Sequence, residues 1–300
     1  MCRTTRPPSE RPTVNRLHSQ HDVIVRADLV RAVRGLGYEV IPFAKTEQAV
    51  RDHVPTDVPL TVTASPAKGQ DATIDLAVAL AGHGYAVSPH LSAQQVRDHQ
   101  HLAGLVGRCR DAGITGVFVV GGDRTATTTA FADALALLRA VHELDHGFTD
   151  IGIGGHPEGH PDVSEQVLMQ ALADKAPLAT HITTQIVFDP RAILAWIHRV
   201  RAYDVNLPVH VGLPGAVHRQ KLLRVAGGLG LGESAKFLKK QQTLLRRFFL
   251  PGGYRPDALL SGLAPHLGEA DDAVAGFHVF TFNDLAPTEA WRRRLLSDLT

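Results

Sequence analysis

The sequence contains very little cysteine. Only Cys2 and Cys109 occur in 300 residues, which excludes a scaffold held together by several disulfides. Cys2 lies close to the N-terminus and Cys109 lies in a segment with helical periodicity, so we do not expect the two to pair. So few cysteines are typical of a protein from a reducing compartment, and we expect a cytoplasmic location.

The sequence also lacks an excess of charge of either sign. Its 31 Lys and Arg residues face 30 Asp and Glu residues, which gives a formal net charge of +1. Such a balance provides no overall field that would attract nucleic acid or an acidic membrane. No apolar run approaches the roughly 18 residues that a membrane-spanning helix needs. We therefore expect neither nucleic acid nor a membrane as a partner.

The N-terminal segment is rich in arginine and poor in acidic residues, and Pro7, Pro8 and Pro12 interrupt it. The arginine content resembles that of an organelle transit peptide. However, the prolines would break an amphipathic helix, and no apolar segment follows that could act as a secretory signal. We predict a disordered tail over residues 1–20.

Beyond the tail, apolar strand-like runs alternate regularly with helix-like stretches. The strand candidates are Tyr38–Phe43, Leu60–Thr63, Tyr85–Pro89, Gly116–Val120, Ile151–Gly155, His181–Phe188, Pro208–Gly212 and Phe277–Phe282. This alternation predicts parallel strands joined by right-handed crossovers, and eight strands in about 245 residues match the size of a (β/α)8 barrel. We predict an α/β fold, a single (β/α)8 TIM-barrel domain over residues 21–300. A doubly wound open sheet is the alternative.

The stretches between the strands carry apolar residues at helical spacing. Four such sets are Ile74, Ala77, Val78 and Ala81; Leu102, Leu105, Val106 and Cys109; Leu135, Leu138, Val141 and His142; and Ile193, Trp196, Ile197 and Val200. Asp71 and Ser164 suit helix N-caps, Pro190 suits a first helical turn and Gly113 suits a helix end. The segment Gly227–Gly268 departs from this rhythm and predicts an extra helical insertion before the last strand.

Polar residues lie at or just after the ends of the predicted strands. In a barrel such positions converge on one mouth, where active sites lie. The residues are Glu39, Thr63, Ser65, His90, Asp123, His156, His160, Gln185, Asp189 and Asn283. Their convergence predicts an active site at the carboxyl ends of the strands.

Glu39 is a candidate general acid. Its apolar neighbours on the strand would shield the carboxyl from water, and desolvation favours the neutral form that can donate a proton. The alternative is a glutamate at the rim in a surface ion pair. Asp123 follows Gly121 and Gly122, where the backbone can approach a ligand closely, and the alternative there is an aspartate that caps a turn.

Histidine is abundant, with 17 residues. His156, Glu158 and His160 in the segment HPEGHP are metal-ligand types. However, Pro157 and Gly159 make this segment a loop, and its spacing differs from that of a helical His-Glu-x-x-His site. We predict no metal site. Four histidines fall at or near the predicted mouth and are expected to hydrogen-bond a cofactor or substrate, namely His90, His156, His160 and His278.

Seven strand-end motifs, taken in order, resemble those of the methylenetetrahydrofolate reductase family. They are YEVIPF at 38–43, VTAS at 62–65, PHLSA at 89–93, GGDRT at 121–125, HPEGHP at 156–161, TTQIVFD at 183–189 and HVFTFN at 278–283. The corresponding family motifs are FEFFPP, VTYG, PHLTC, RGDPP, YPExHP, ITQxFFD and HFYTLN. Each motif is short, but seven in the same order over residues 37–295 identify the chain as similar to this family.

The resemblance implies a barrel enzyme that reduces 5,10-methylenetetrahydrofolate to 5-methyltetrahydrofolate with NAD(P)H and bound FAD, in one-carbon metabolism and methionine biosynthesis. It implies that Glu39 is the general acid that assists opening of the bridging methylene to an iminium ion. It further implies that Asp123 is catalytic and contacts the pterin, and that Gln185 binds the folate. The cofactor contacts that it implies are Thr63, His90, Asp123, His156 and His160.

Some positions depart from the family pattern. Gly121 stands where the family has an arginine that contacts the cofactor's phosphates, and His156 stands where it has a tyrosine. The glycine puts FAD binding in question, and the pattern is similar to a divergent branch in which some members work with little or no flavin. The alternatives to a reductase are a folate-dependent methyltransferase and a non-catalytic folate-binding barrel. Assembly into a homo-oligomer is left open.

Overall fold

The computed structural model describes residues 20–122, 130–160, 163–216, 256–268 and 274–300. In these ranges eight parallel strands close a barrel in chain order, and the last strand pairs with the first. The strands are β1 Gly37–Val40, β2 Leu60–Val62, β3 Val87–Ser92, β4 Gly116–Val120, β5 Asp150–Gly155, β6 His181–Ile186, β7 Val209–Pro214 and β8 Val274–Phe280. The predicted (β/α)8 barrel is confirmed, and the open-sheet alternative is wrong.

Nine α-helices lie in the described ranges. They are α1 Gln20–Arg34, α2 Thr46–His53, α3 Gly69–Gly82, α4 His99–Asp111, α5 Ala134–His142, α6 Glu165–Lys175, α7 Pro190–Arg201, α8 Pro256–Leu263 and α9 Leu285–Leu299. Helices α2 to α7 join successive strands, while α1 precedes β1 and α9 follows β8. None of these nine helices is long and apolar enough to cross a membrane.

Two predicted segments lie partly outside the described residues. Of the predicted tail, residues 1–19 lie outside, and α1 begins at Gln20. Of the predicted insertion, residues 227–255 lie outside, and α8 with a following 3-10 turn, Ala264–His266, occupies its end. The domain boundaries therefore stay a prediction.

Alternate residues of each strand point to opposite faces, and one of these faces is apolar throughout. Its side chains pack against the helices and are buried; they include Tyr38, Val40, Leu60, Val62, Val117, Val119, Ile151, Ile153, Val209, Val211 and Val279. Burial of this face against the ring of helices is the main source of hydrophobic stabilisation. The residues between them point to the barrel axis, where several of the buried side chains are polar.

Side-chain caps begin four of the described helices, namely α4, α5, α6 and α7. Ser164 caps α6 by accepting a hydrogen bond from the amide of Val167, and Pro190 is the first residue of α7, as predicted. The prediction for Asp71 is wrong, because α3 starts earlier, at Gly69, whose φ of 80° is accessible to glycine. Asp71 instead lies in the first turn of the helix, where its Oδ2 pairs with Nη1 of Arg97 at 3.2 Å.

Strands β1 and β8 end earlier than predicted because a side chain takes over the backbone pairing. Asn283 accepts a hydrogen bond from the Ile41 amide at 2.8 Å and donates one to the Ile41 carbonyl at 2.9 Å. It donates a further bond to Oγ1 of Thr46 at 2.8 Å. Asn283, predicted at the mouth, therefore joins the loops that follow β1 and β8.

Candidate active site

The face of the strands that points to the barrel axis is lined with imidazoles. His90 on β3, His181 on β6, His210 on β7 and His278 on β8 meet one another or Glu39 across the barrel. Branched aliphatic side chains usually fill this space in (β/α)8 barrels. Burying polar rings costs free energy unless their nitrogens find partners, so this interior points to chemistry rather than to packing alone.

Glu39 lies between two of these imidazoles. Its Oε2 atom is 3.5 Å from Nε2 of His278 and 3.7 Å from Nε2 of His90. Only 14% of the Glu39 side chain is exposed, so the structure places it inside the barrel rather than in an ion pair on the rim. Because Glu39 is the penultimate residue of β1, it lies at the carboxyl end, where ligands reach a barrel.

Burial controls the charge of His90. Its side chain is 8% exposed, and its ring packs on that of Phe118 with the centroids 4.7 Å apart. The pKa of His90 is lowered to about 4, mainly by burial; the carboxylate of Glu39 opposes the shift, and His278 adds to it. His90 is therefore a neutral imidazole beside Glu39 near pH 7.

A second polar group lies at the amino-terminal end of the barrel. Nδ1 of His181 is 2.9 Å from Oδ1 of Asp150, the first residue of β5. The rings of His181 and His210 meet edge to face with the centroids 5.1 Å apart. The hydrogen bond from His181 lowers the pKa of Asp150, so this carboxylate is ionised near pH 7.

Glycines on the same face leave room for the rings. A Cβ atom at Gly152 would collide with the ring of Phe118 and would lie 2.5 Å from Nε2 of His181. A Cβ atom at Gly212 would lie 2.8 Å from the ring of Phe280. Large rings on some strands are thus matched by missing side chains on others, which keeps the interior close-packed.

Helix α3 holds the end of β3 with one buried amide. Nε2 of Gln70 donates to the carbonyl of His90 at 2.6 Å, and the amide of Ser92 donates to Oε1 of Gln70 at 2.9 Å. These two bonds position the backbone on both sides of Leu91 and so orient the His90 ring towards Glu39. Sequence reasoning missed Gln70, because a polar residue in the first turn of a helix is common and gives no signal.

The other predicted site residues lie around the mouth. Thr63 directly follows β2 and is half-buried, and Gln185 near the end of β6 is exposed. His156 and His160 follow β5, and their rings meet edge to face with the centroids 5.7 Å apart. Asp123, the remaining predicted residue, lies outside the described residues. Asp189 is not free for a ligand, since its Oδ1 accepts a bond from the Arg191 amide and caps α7.

A cavity of about 320 Å³ adjoins the end of β5 between α6 and α7. Its lining includes His156, Met169, Lys175, Trp196 and Arg199. Burial lowers the pKa of Lys175, and the carboxylate of Asp133 opposes that shift. Nε of Arg199 is 2.8 Å from Oε1 of Glu165, so this guanidinium is already paired across the two helices.

The described residues do not fit the diphosphate of FAD. Gly121 and Gly122 offer no side chain where the resemblance implies a phosphate-binding arginine, and a Cβ atom at Gly122 would collide with the hydroxyl of Ser92. His90, an implied cofactor contact, is buried beside Phe118 and Glu39, with 8% of its side chain exposed. No step of the reaction proposed below passes through a flavin.

Two other kinds of chemistry find no support in the described residues. Within the described ranges, no three His, Cys, Asp or Glu side chains are grouped so that they could hold a metal ion. Cys109 is buried in α4, and burial raises the pKa of its thiol to about 12. The thiol therefore stays protonated and is a poor nucleophile.

Sequence reasoning overlooked His181 and His210, although a signal for them exists. His181 in HITTQ and His210 in HVGLP lie at or near the start of predicted strands. Because successive side chains of a strand point to opposite faces, each histidine lies on one of the two faces of its strand. The missing information was which face points to the axis. That depends on the register between strands, which no single strand carries.

Comparison with known proteins agrees with this picture. The sequence model of the family described as methylenetetrahydrofolate reductase matches residues 43–226, more than half of the chain. Methylenetetrahydrofolate reductase 1 of Schizosaccharomyces pombe is 27% identical over 116 residues. That segment covers 35% of this chain and 19% of the relative, so the match spans about a fifth of the relative's length.

Two solved structures from Burkholderia cenocepacia J2315 also resemble the chain, each with a TM-score of 0.47. One, provisionally described as a phosphonomutase, is 13% identical and aligns over 93% of this chain and 98% of its own. The other, provisionally described as a lyase or mutase, is 17% identical and aligns over 91% and 85%. The family match over residues 43–226, together with the closed eight-stranded barrel, shows that the chain belongs to the methylenetetrahydrofolate reductase family.

Proposed function

We propose that the protein reduces 5,10-methylenetetrahydrofolate to 5-methyltetrahydrofolate with NAD(P)H as the hydride donor. Family membership supports the folate substrate and an oxidoreductase. The observation that carries the proposal is the position of Glu39, a carboxyl held at the carboxyl end of the barrel between the imidazoles of His90 and His278. A proton donor in a water-poor barrel is what opening of the bridging methylene requires.

The chemistry balances with one proton and one hydride. The Glu39 carboxyl protonates the folate nitrogen that leaves, the bond from this nitrogen to the bridging carbon breaks, and an iminium ion forms on the other nitrogen. The nicotinamide then delivers a hydride, with its two electrons, to the iminium carbon and becomes oxidised. Glu39 is left as the carboxylate, and the two imidazoles beside it can stabilise that charge.

The remaining assignments rest on the resemblance. Gln185, exposed near the end of β6, is proposed to bind the folate, and Asp123 is proposed to contact the pterin and assist catalysis. Thr63, His156 and His160 are proposed to contact the nicotinamide donor. We further propose a cytoplasmic enzyme of one-carbon metabolism that serves methionine biosynthesis.

A turnover assay on the purified full chain tests the function. NADH or NADPH is supplied with methylenetetrahydrofolate, with and without added FAD, and 5-methyltetrahydrofolate is quantified. The reductase proposal predicts the methyl product with at least one nicotinamide. If none forms under any of these conditions, the reductase proposal is wrong.

The Glu39→Gln variant tests the acid. The amide keeps the shape of the carboxyl but holds no transferable proton, so we expect turnover to fall roughly 100-fold while folate affinity is retained. Glu143→Gln, an exposed residue after α5, is the matched control and should keep normal turnover. Normal turnover of Glu39→Gln would remove Glu39 as the acid.

Gly121 favours a second candidate, a folate-dependent methyltransferase, because the phosphate-binding arginine of the flavin site is replaced. Such an enzyme would move a methyl group to or from tetrahydrofolate and would need no nicotinamide. Dependence of product formation on NAD(P)H separates the two candidates. A flavin band in the visible spectrum of the purified protein would disfavour the methyltransferase.

A further inference from the structure

We infer that the histidines inside the barrel carry protons from its amino-terminal end to Glu39. The path runs from Asp150 through His181, His210 and His278. The inference rests on the proposed function, because the reduction is the reaction that removes a proton from Glu39. His181 and His210 lie below the mouth and do not contact the substrate. The relay nevertheless gives them a role in turnover.

The proton balance gives such a path a task. Each reduction transfers the Glu39 proton to the leaving nitrogen of the folate, and the hydride brings no replacement. Glu39 must regain one proton from solvent before the next turnover. In the proposed function folate and nicotinamide bind over the carboxyl ends of the strands, so a path from the opposite end of the barrel can return the proton while these ligands are still bound.

The lower half of the path reaches solvent at Asp150. The side chain of this residue is 53% exposed, and its Oδ1 is 2.9 Å from Nδ1 of His181. The hydroxyl of Thr180 also donates to the same carboxylate, at 3.1 Å. The His181 ring meets that of His210 edge to face, with the centroids 5.1 Å apart. A proton taken up at Asp150 can therefore pass first to the His181 ring and then to the His210 ring.

The upper half of the path connects His210 to Glu39. His210 pairs in register with Gly276, two residues before His278 on β8. A Cβ atom at Gly276 would lie 3.4 Å from Nδ1 of His210, so the His210 ring leans over β8, the strand that carries His278. Nε2 of His278 is in turn 3.5 Å from Oε2 of Glu39.

Neutral imidazole suits this task because one ring nitrogen accepts a proton while the other donates one. The pKa of His210 is lowered to about 4, mainly by burial and also by the neighbouring His181 and His278, while Asp150 opposes the shift. The ring is thus uncharged near pH 7 and can pass a proton without holding it. His90 also lies beside Glu39 and is neutral, but its ring packs on that of Phe118.

The sharpest test compares the first turnover with later ones in the variant His210→Ala. Only the return of a proton to Glu39 depends on the relay, so the first equivalent of 5-methyltetrahydrofolate should form at the normal rate. Later turnovers should be slowed roughly 100-fold, with little change in KM for the folate. Imidazole added to the buffer should restore steady-state turnover, because it can occupy the space of the missing ring and carry the proton.

Ser88→Ala is the matched control. Ser88 lies on β3 in the same lower part of the barrel, beside Gly116, and is not on the path, so its steady-state rate should be normal. Thermal unfolding verifies that each variant is folded. If His210→Ala does not fold, His181→Asn, which keeps a polar side chain of smaller size, gives the same comparison.

The outcomes separate the relay from the reductase function. Unchanged steady-state turnover in a folded variant would overturn the relay, as would a first turnover that is slowed as much as later ones and is not restored by imidazole. In both cases the wild-type protein still makes the methyl product. Failure of the wild-type protein to make any product instead contradicts the proposed function itself.

Discussion

The barrel interior is built from pairs of unlike residues, a ring on one strand and a glycine on the next. Gly152 on β5 lies opposite Phe118 on β4 and His181 on β6 in the strand registers. Three residues with Cβ atoms at this level would overfill the space between three adjacent strands. Gly152 is therefore needed because it has no side chain, which leaves the space that the His181 ring occupies.

Replacing Gly152 by alanine should destabilise the protein by about 1–3 kcal/mol, the usual cost of overpacking a core. The new methyl group would lie 2.5 Å from Nε2 of His181 and would also collide with Phe118. Gly154→Ala is the matched control, because a Cβ atom at this position of the same strand meets nothing within 4 Å. Urea unfolding of both variants measures the difference, and equal stability would contradict the packing account.

At the scale of elements, the site depends on how helices hold the strand ends. Residue Gln70 is buried in the first turn of α3 and bonds to the backbone of β3 on both sides of Leu91. Across the barrel, Asn283 does the same for the chain that leaves β1. Side-chain amides can replace a missing strand neighbour because each offers a donor and an acceptor.

Replacing Gln70 by alanine should cost about 2–4 kcal/mol, since two buried backbone groups would lose their partners. The end of β3 would also loosen, so we expect a lower kcat as His90 loses its orientation towards Glu39. Gln48→Ala is the control, because Gln48 on α2 is exposed and bonds only to Asp52 one turn away. Chemical unfolding and the turnover assay together measure both effects. A Gln70→Ala protein as stable as Gln48→Ala would show that the bonds of Gln70 to β3 do not stabilise the fold.

At the scale of the whole molecule, the burial of His90 and His210 inside the barrel makes its stability sensitive to acid. Burial lowers the pKa of His90 and of His210 from 6.5 to about 4. In the unfolded chain both rings bind protons at the higher pKa, so between these values the unfolded state holds more protons than the folded one. Stability is thus fully present above pH 6.5 and falls as the pH drops towards 4.

We expect the free energy of unfolding to fall by about 3 kcal/mol per buried histidine across this window. His210→Leu removes one of the two groups, so its stability should change less between pH 6.5 and pH 4 than that of the wild-type protein. Asp150 does not confuse the result, because its pKa is lowered from 3.8 and it titrates below the window. Urea unfolding at a series of pH values measures the slopes, and parallel curves for both proteins would be incompatible with a buried neutral His210.

Much of the architecture was predictable because it is local. All eight strand candidates correspond to strands, and Gly116–Val120 matches β4 at both ends. The largest strand errors, up to three residues at one end, are at β1, β3 and β8. At the carboxyl ends of β1 and β8 the side chain of Asn283 replaces strand pairing, and at Asp71 the helix starts earlier, at Gly69. In these two cases a contact or a backbone angle that sequence periodicity does not record determines the boundary.

The sequence by itself determined the barrel, the family and the position of Glu39 on the first strand. These follow from alternating apolar patterns and from motifs that each lie within a few neighbouring residues. Only the tertiary structure decided that Glu39 lies beside His90 and His278, that His210 and His181 lead from there to Asp150 at the amino-terminal rim, and that Asn283 and Asp189 serve the scaffold. The physical reason is that strand register and barrel closure bring together side chains from β1, β3, β5, β6, β7 and β8 that are far apart along the chain.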